Sequence, residues 1–482
     1  MHPLMITKLL GILLMLFSLL GTLPPMVVSL IYRDGMLAVF FTTLLTLFLL
    51  GLGMWGLTAR TRSELTIRDG FLVVTLFWSV LGVAGCLPLL LALDLSLTDA
   101  VFESLSGLTT TGATVIVGLD ELPRSILFYR QLLQWMGGMG IIVLAMALLP
   151  MLGIGGMQLY QAETPGPMKD NKLVPRLAET AKALWYIYLS LTVACALAYW
   201  AVGMDLFDAI SHSFTTVAIG GFSTHDASIG FFDNPAVDLV AIVFMVIAGV
   251  NFALHFTAWQ RRSVRHYLAD PEFRFYAFIL ASLSVAAIGI LYLTATYDSF
   301  FEAFIRGLFQ VVSIATTTGY VTADFNSWPL FLPYMLLYAA IIGACAGSTG
   351  GGIKVIRILL IFKQGIREVQ RLIHPKAVIP IKLGAKRVPD RVIESVWGFF
   401  AVYVMVFMLM LLALLASGVE IITAFSAVGA CINNLGPGLE GVSATYGTLP
   451  IAAKWILCVA MLLGRLEVFT LLVLFTPMFW RR

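Results

Sequence analysis

The sequence predicts an all-α polytopic membrane protein: an N-terminal transmembrane helix pair, then four pseudo-symmetric repeats of span, short helix, turn and span. Three observations predict it. The chain is 60% hydrophobic and only 12% charged, against about 25% charged residues in soluble domains. Ten apolar stretches are long enough to cross a hydrocarbon core of about 30 Å as helix. Four shorter apolar segments, each running into a glycine, alternate with the later stretches.

In chain order the expected spans are 9–31, 36–58, 71–93, 127–150, 183–203, 236–257, 275–295, 331–361, 395–417 and 452–477. The first is too long for a signal-peptide core of roughly 7–15 residues and is expected to stay in the mature protein. The shorter segments lie near 99–109, 207–217, 303–315 and 422–432. As helix, ten residues cover about 15 Å, so these segments can enter a membrane but not cross it. The expected units are the N-terminal pair (1–60) and repeats over 61–160, 161–262, 263–375 and 376–482, the third carrying a glycine-rich intramembrane loop. Lysine and arginine set the orientation. With both termini cytoplasmic, 24 basic residues lie inside, four (Arg33, Arg124, Arg130 and Arg306) lie outside, and Lys454 and Arg465 fall within the last span. All four short segments then enter from outside.

These segments are copies of one pattern, aligned on Gly112, Gly221, Gly319 and Gly436. Twelve residues earlier stand Ala100, Ala209, Gly307 and Ala424; six earlier stand Ser106, Thr215, Ser313 and Ala430, all small. Apolar residues eleven, seven and four before the glycine form one helix face. The glycines are 109, 98 and 117 residues apart, an internal repeat of one supersecondary unit.

Span, half-crossing helix, exposed turn and span is the plan of a pore. Non-helical backbone at membrane depth is tolerated only where protein or water satisfies its polar groups. Four such turns on one axis supply carbonyl oxygens in place of an ion's hydration shell. Glycine lets successive carbonyls point one way because it takes positive φ freely. Each short helix also aims its partially negative C-terminus at the cavity, which favours a cation. Threonine hydroxyls either add oxygen ligands or hold the turn. Any one copy alone reads as a polar loop cap; four in register do not.

The residues resemble the Trk/Ktr/HKT superfamily of potassium transporters, and within it the bacterial TrkH type, across essentially the whole chain. The marks are "TTTGAT" and "ATTTGY" in loops one and three, "QWMGGMGII" (134–142), "NFALHF" (251–256), "GSTGGGIKVIR" (347–357) and Arg465. The resemblance implies a K⁺ channel-like potassium uptake subunit of the bacterial inner membrane. Its selectivity filter would comprise Thr109, Thr110, Thr111 and Gly112; Ala218, Ile219, Gly220 and Gly221; Thr316, Thr317, Thr318 and Gly319; and Asn433, Asn434, Leu435 and Gly436. It also implies a homodimer with one pore per subunit and gating by a TrkA-like cytosolic ring that binds the regulatory nucleotide, ATP/ADP or NAD(H). This chain itself would carry no cofactor, only K⁺ as permeant ion. Glycine at all four filter positions goes with K⁺ permeation in this family. Loops two and four depart from TTTG, so the pore is only approximately four-fold.

"GACAGSTGGGIK" (343–354) puts five glycines into a span, and each costs about 1 kcal/mol relative to alanine in a helix. The helix is expected to break into a gate of Gly347, Ser348, Thr349, Gly350, Gly351 and Gly352, with close helix packing as the alternative. A phosphate loop fails on spacing, because Ile353-Lys354-Val355 follows Gly352. Arg465 at mid-span is costly and functional by default. It is expected to contact this loop and act as a positive barrier; a structural ion pair is the alternative, though not with Glu467, which faces elsewhere on a helix.

Asp99, Glu103, Asp120, Glu121, Asp208, Asp226 and Asp233 give the outer face an acidic bias, which either concentrates cations or is simply solvated. His212, His225 and His255 read as satisfied local hydrogen-bonders, and the five cysteines as packing residues. The basic stretch 363–391 carries the inside signal and also suits docking of a regulatory partner; nucleic acid is not expected. No span has arginine at every third position, so no voltage sensor is indicated. No H-E-x-x-H or G-x-S-x-G supports a membrane enzyme. The closest rival is a symporter coupling K⁺ to Na⁺ or H⁺ on the same architecture.

Overall fold

The computed structural model describes residues 2–61, 66–143 and 173–480. Among these the regular structure is helical, apart from a two-residue antiparallel pair, β1 (Lys382–Leu383) and β2 (Lys386–Arg387). Helices α1 (Pro3–Tyr32) and α2 (Leu37–Thr58) form the N-terminal pair. They cross where Gly11 faces Gly51; a Cβ on either would meet the other's backbone oxygen. Such small–small contacts let helix backbones approach in lipid.

Then come α3 (Ile67–Ala84), α4 (Leu87–Ala92), α5 (Leu97–Leu108) and α6 (Arg124–Val143), followed by α7 (Leu173–Ala201), α8 (Leu206–Ala218), α9 (Pro235–Ala248), α10 (Phe252–Gln260) and α11 (Arg265–Ala269). The third set is α12 (Pro271–Leu293), α13 (Phe300–Ala315), α14 (Leu332–Ile342) and α15 (Val355–Ile373). The last is α16 (Asp390–Ala416), α17 (Ile421–Ile432) and α18 (Ile451–Arg465), with the short turns α19 (Phe469–Leu472) and α20 (Pro477–Trp480).

Six described helices are long and apolar enough to cross a membrane, or seven if the pair α9–α10, bent by 90°, is one span. The chain is therefore a multi-pass membrane protein, yet ten straight spans are not what forms. The differences fall on the second helix of the repeats. The expected span 236–257 bends at Gly249–Asn251, where Asn251 caps a new helix by accepting from Ala253 N at 2.9 Å. Span 331–361 is broken over 343–354, as its glycines predict. Span 452–477 ends at Arg465, followed by Glu467 and Val468, both at positive φ. Span 127–150 is described only to Val143. Its remainder, with Arg62, Lys169, Lys172, Arg481 and Arg482, lies outside the described residues.

The short helices α5, α8, α13 and α17 are the innermost elements, with Ala100–Leu108 of α5 wholly buried. Three begin with a side-chain cap: Ser96 accepts from Asp99 N, Asp205 from Asp208 N and Ser299 from Glu302 N. A capping oxygen satisfies an amide the helix cannot, which fixes where each starts. The small residues twelve before the glycine are buried at contacts; a Cβ on Gly307 would crowd Ile288 of α12.

Candidate ion-conduction site

Each short helix ends in the same way. The residue one before the reference glycine donates its N–H to the carbonyl six before it: Thr111 to Ser106, Gly220 to Thr215 and Thr318 to Ser313 at 2.8 Å, Leu435 to Ala430 at 2.9 Å. The residue two before donates to the carbonyl five before it, at 3.0–3.2 Å in all four. This pair of bonds is the Schellman C-cap. It places Thr110, Ile219, Thr317 and Asn434 at φ of 51°, 54°, 68° and 52°. Left-handed backbone is ordinarily glycine's, and branched residues held there store strain that the surrounding structure must sustain. Glycine was expected to supply the positive φ; here residues two before it supply it as well. Gly112, Gly221 and Gly319 follow at φ 82°, 79° and 86°. Gly436 is not among the positive-φ residues; Pro437 follows it, and a residue before proline is confined to extended backbone.

The four turns meet. A Cβ on Gly112 would strike the carbonyl oxygen of Gly220, one on Gly221 that of Thr318, one on Gly319 the ring of Pro437, and one on Gly436 the carbonyl oxygen of Gly112. The contacts run one, two, three, four and back to one, which closes a ring. All four glycines line a single open cavity of about 470 Å³. Among the described residues no three His, Cys, Asp or Glu come together as a metal site. A cation at the ring would be met by peptide and hydroxyl oxygens.

The hydroxyls hold the turns. Thr109 Oγ1 and Thr111 Oγ1 lie 2.7 Å apart, and Thr316 Oγ1 and Thr318 Oγ1 repeat that spacing. Thr110 Oγ1 accepts from Arg465, and its equivalent Thr317 Oγ1 accepts from Gly351 N at 2.7 Å. In the weaker copies other side chains substitute. Asn434 Nδ2 donates to Thr111 Oγ1 at 3.1 Å, and Asn433 Nδ2 to Tyr403 Oη at 2.9 Å. Ala218 and Leu435 pack in the interior.

The broken segment 343–354 lies directly beneath the ring. Thr349 Oγ1 donates to the Val217 carbonyl at 3.0 Å, and Gly352 N to the Asn433 carbonyl at 3.1 Å. Gly350 and Gly351 leave no room for a Cβ against the carbonyls of Thr316 and Asn433. Its far side is pinned by Ala346 N donating to Glu272 Oε1 at 2.6 Å, and by Phe252 N donating to Gly347 O at 3.0 Å. Ser348 Oγ closes on the Cys345 carbonyl at 2.6 Å. The segment thus touches turns two, three and four. Arg465 completes the set: its Nε donates to the Thr109 carbonyl at 2.5 Å and its Nη1 to the Thr349 carbonyl at 3.3 Å. Glu467 pairs instead with Arg357 at 2.5 Å, so the two residues do face apart.

These features decide the family. The profile described as "TrkH: Cation transport protein" matches residues 36–482. The chain belongs to the TrkH family. The Trk system potassium uptake protein TrkH of Halomonas elongata is 58% identical to it, covering 99% of each chain. The protein of the same name from Escherichia coli is 56% identical over 100% of both, and TrkG of Escherichia coli 43% identical over 100% of this chain and 99% of the other. The crystal structure of the potassium transporter TrkH from Vibrio parahaemolyticus superposes with a TM-score of 0.93 at 55% identity, covering 100% of both chains.

In this TrkH family member several expectations need correction. Arg130 is no outer-loop residue: it lies within α6, buried, and pairs with buried Glu103 at 2.7 Å. Lys454 does lie in the last span, near the start of α18, where it pairs with Asp99 at 2.6 Å. Glu103 is therefore not part of a solvated acidic rim. His212 and His255 are locally satisfied, but His225 reaches a second loop, with Nδ1 2.5 Å from Asp120 and Nε2 3.2 Å from Asp208. All five cysteines are buried and free. Sequence reasoning passed over Gln134, whose amide donates to the Gly220 carbonyl at 2.7 Å and accepts from Phe222 N at 3.0 Å. The signal was a glutamine in an apolar span, inside a quoted motif.

Proposed function

We propose that this chain carries potassium ions into the bacterial cell across the inner membrane, with its filter at Thr109–Gly112, Ala218–Gly221, Thr316–Gly319 and Asn433–Gly436. The observation that carries this is the closed ring of four glycine turns around one cavity. An ion entering from the cavity exchanges water for peptide oxygens already held in place by four Schellman caps, so little reorganisation is needed. The C-termini of α5, α8, α13 and α17 point into the space below and favour positive charge there. The segment Gly347–Gly352 fills that space, and the Arg465 guanidinium adds a like charge in the ion's way. Conduction then requires the segment to move, and its glycines give it the freedom to do so. The ion gradient and membrane potential supply the driving force.

The lysine and arginine distribution supports cytoplasmic termini. The basic stretch 363–391, exposed over most of its length though Arg367 is buried against Asp390, supports docking of a TrkA-like ring that carries the regulatory nucleotide, ATP/ADP or NAD(H), on a homodimer of this chain. Coupling of K⁺ to Na⁺ or H⁺ gains no support from the buried carboxylates. Glu103 pairs with Arg130, Asp69 with His2 and Asp208 with His225, Asp238 lies 4.0 Å from Arg306, and Glu272 holds Ala346 N, each on a different element. The test is expression in a bacterium lacking its own K⁺ uptake systems: growth restored at micromolar K⁺ is expected. Absence of growth with the protein present in the membrane would refute the proposal.

A further inference from the structure

Nine residues before the reference glycine stand Glu103, His212, Gln310 and Ala427. The first three are polar, wholly buried, and turned to the same task. Glu103 Oε2 accepts from Val115 N at 2.9 Å, three residues past the glycine. Gln310 Oε1 accepts from Thr322 N, also three past, at 3.0 Å. His212 Nε2 lies 2.9 Å from Ser223 Oγ, two past. In the fourth repeat Ala427 cannot do this, and its neighbour Ser426 does: its Oγ accepts from Leu439 N, three past, at 2.9 Å. Four different side chains thus pin the strand leaving each turn back onto its own short helix.

A strand with no sheet partner leaves buried amides that must find acceptors. The Schellman caps hold only the inner half of each turn; the outer half has backbone bonds to neighbouring loops, Tyr446 N to Thr114 O at 2.8 Å and Gly230 N to Val321 O at 3.1 Å, but none to its own short helix. In repeat one the pin is a carboxylate neutralised by Arg130, whose Nη1 also donates to the Ser223 carbonyl of repeat two at 3.3 Å. Pins one and two are therefore coupled across the ring.

We propose that these four buried side chains are positioning residues for ion discrimination: they fix the aperture of the outer half of the filter, and so set how strongly K⁺ is preferred over Na⁺. This rests on the K⁺-conducting reading above. A ring free to contract would fit the smaller ion as well as the larger, and selectivity would fall while conduction persisted.

The test uses the purified full-length protein in liposomes, with Rb⁺ and Na⁺ uptake measured side by side and their ratio taken. Wild type is measured first, with the Ser348–Gly351 deletion as the background for all variants where wild type is closed; neither ion passing even in the deletion, or both passing equally, refutes the K⁺-conducting reading itself. Gln310→Met keeps the side chain's size but leaves Thr322 N without an acceptor. Gln310→Glu keeps the accepting oxygen, and since Nε2 of Gln310 has no partner, it forfeits no hydrogen bond. The expected result is an Rb⁺/Na⁺ ratio about five- to tenfold lower in Gln310→Met, the equivalent of one buried hydrogen bond, and near wild type in Gln310→Glu. Ser426→Ala removes the fourth pin with little change of volume and decides the matter if Gln310→Met does not fold. Wild-type ratios in folded Gln310→Met and Ser426→Ala would overturn the proposal, as would equal losses in Gln310→Met and Gln310→Glu.

Discussion

Arg465 Nε donates to the carbonyl oxygen of Thr109 at 2.5 Å across 356 residues of sequence. One guanidinium thereby joins the first glycine turn to the broken segment 343–354, through Thr110 and Thr349. On the proposed path, a cation passing the ring would have to displace it or pass beside it.

Arg465→Ala removes that charge. Uptake of Rb⁺ into liposomes without any cytosolic partner is expected to rise about three- to tenfold, with Arg465→Lys in between, since lysine keeps the charge but not the planar fork. Unchanged uptake in protein of normal yield would leave Arg465 a structural tie only.

Deleting Ser348–Gly351 takes away the atoms that touch Val217, Thr317 and Arg465. Flux through the folded variant is expected to exceed wild type several-fold. Equal or lower flux would mean the segment does not occlude the path.

Gly221→Ala meets two obstacles at once, a φ of 79° and the Thr318 carbonyl. Selective Rb⁺ flux is expected to drop more than about tenfold, with a stability loss of about 1–3 kcal/mol for backbone strain. Gly56→Ala is the control: nothing lies within 4 Å of its Cβ, and helix propensity makes it neutral or slightly stabilising. Thermal unfolding and flux of the two variants check both halves.

His225 stacks on Phe231, ring centroids 3.5 Å apart, between Asp208 and Asp120. Burial pulls its imidazole down, but hydrogen bonds and charge from Asp208 and Asp120 outweigh this and hold it above its ordinary 6.5. A raised folded value means the clasp is at full strength below the ordinary value and is lost as pH rises through the raised one. Asp120 is about half exposed, so solvent keeps the effect well under about 1 kcal/mol. The thermal midpoint is expected to fall slightly over that window, and His225→Gln should flatten the dependence. An unaltered pH profile in His225→Gln would exclude the clasp.

The four glycines and the break at 343–354 were legible because each stands out locally: polar residues and glycines in apolar surroundings, repeated in register. Arg465's contact with the intramembrane segment was legible for the same reason, as a charge that lipid will not hold. The kinks in the second helices were less so. Gly249 and Asn251 are ordinary residues until Asn251 turns out to cap α10. Partners were not legible at all. Nothing in "VFESL" says that Glu103 meets Arg130, since sequence spacing fixes which helix face a residue occupies but not what lies opposite. Arg130 reads as an outer-loop residue because it sits near a span's end, yet a charged residue in "FYRQLLQW" has the same cost within lipid as Arg465. The strain at Thr110, Ile219 and Thr317 was hidden too, because branched residues seldom take that backbone and only the closed ring requires it.

The most direct measurement of the central claim is cation uptake by the purified protein in liposomes, with K⁺, Rb⁺ and Na⁺ compared under one gradient. Four peptide turns closing on one axis predict that K⁺ and Rb⁺ pass at similar rates and Na⁺ at least about tenfold more slowly. Equal passage of all three, or none by K⁺ even after the Ser348–Gly351 segment is removed, would contradict it.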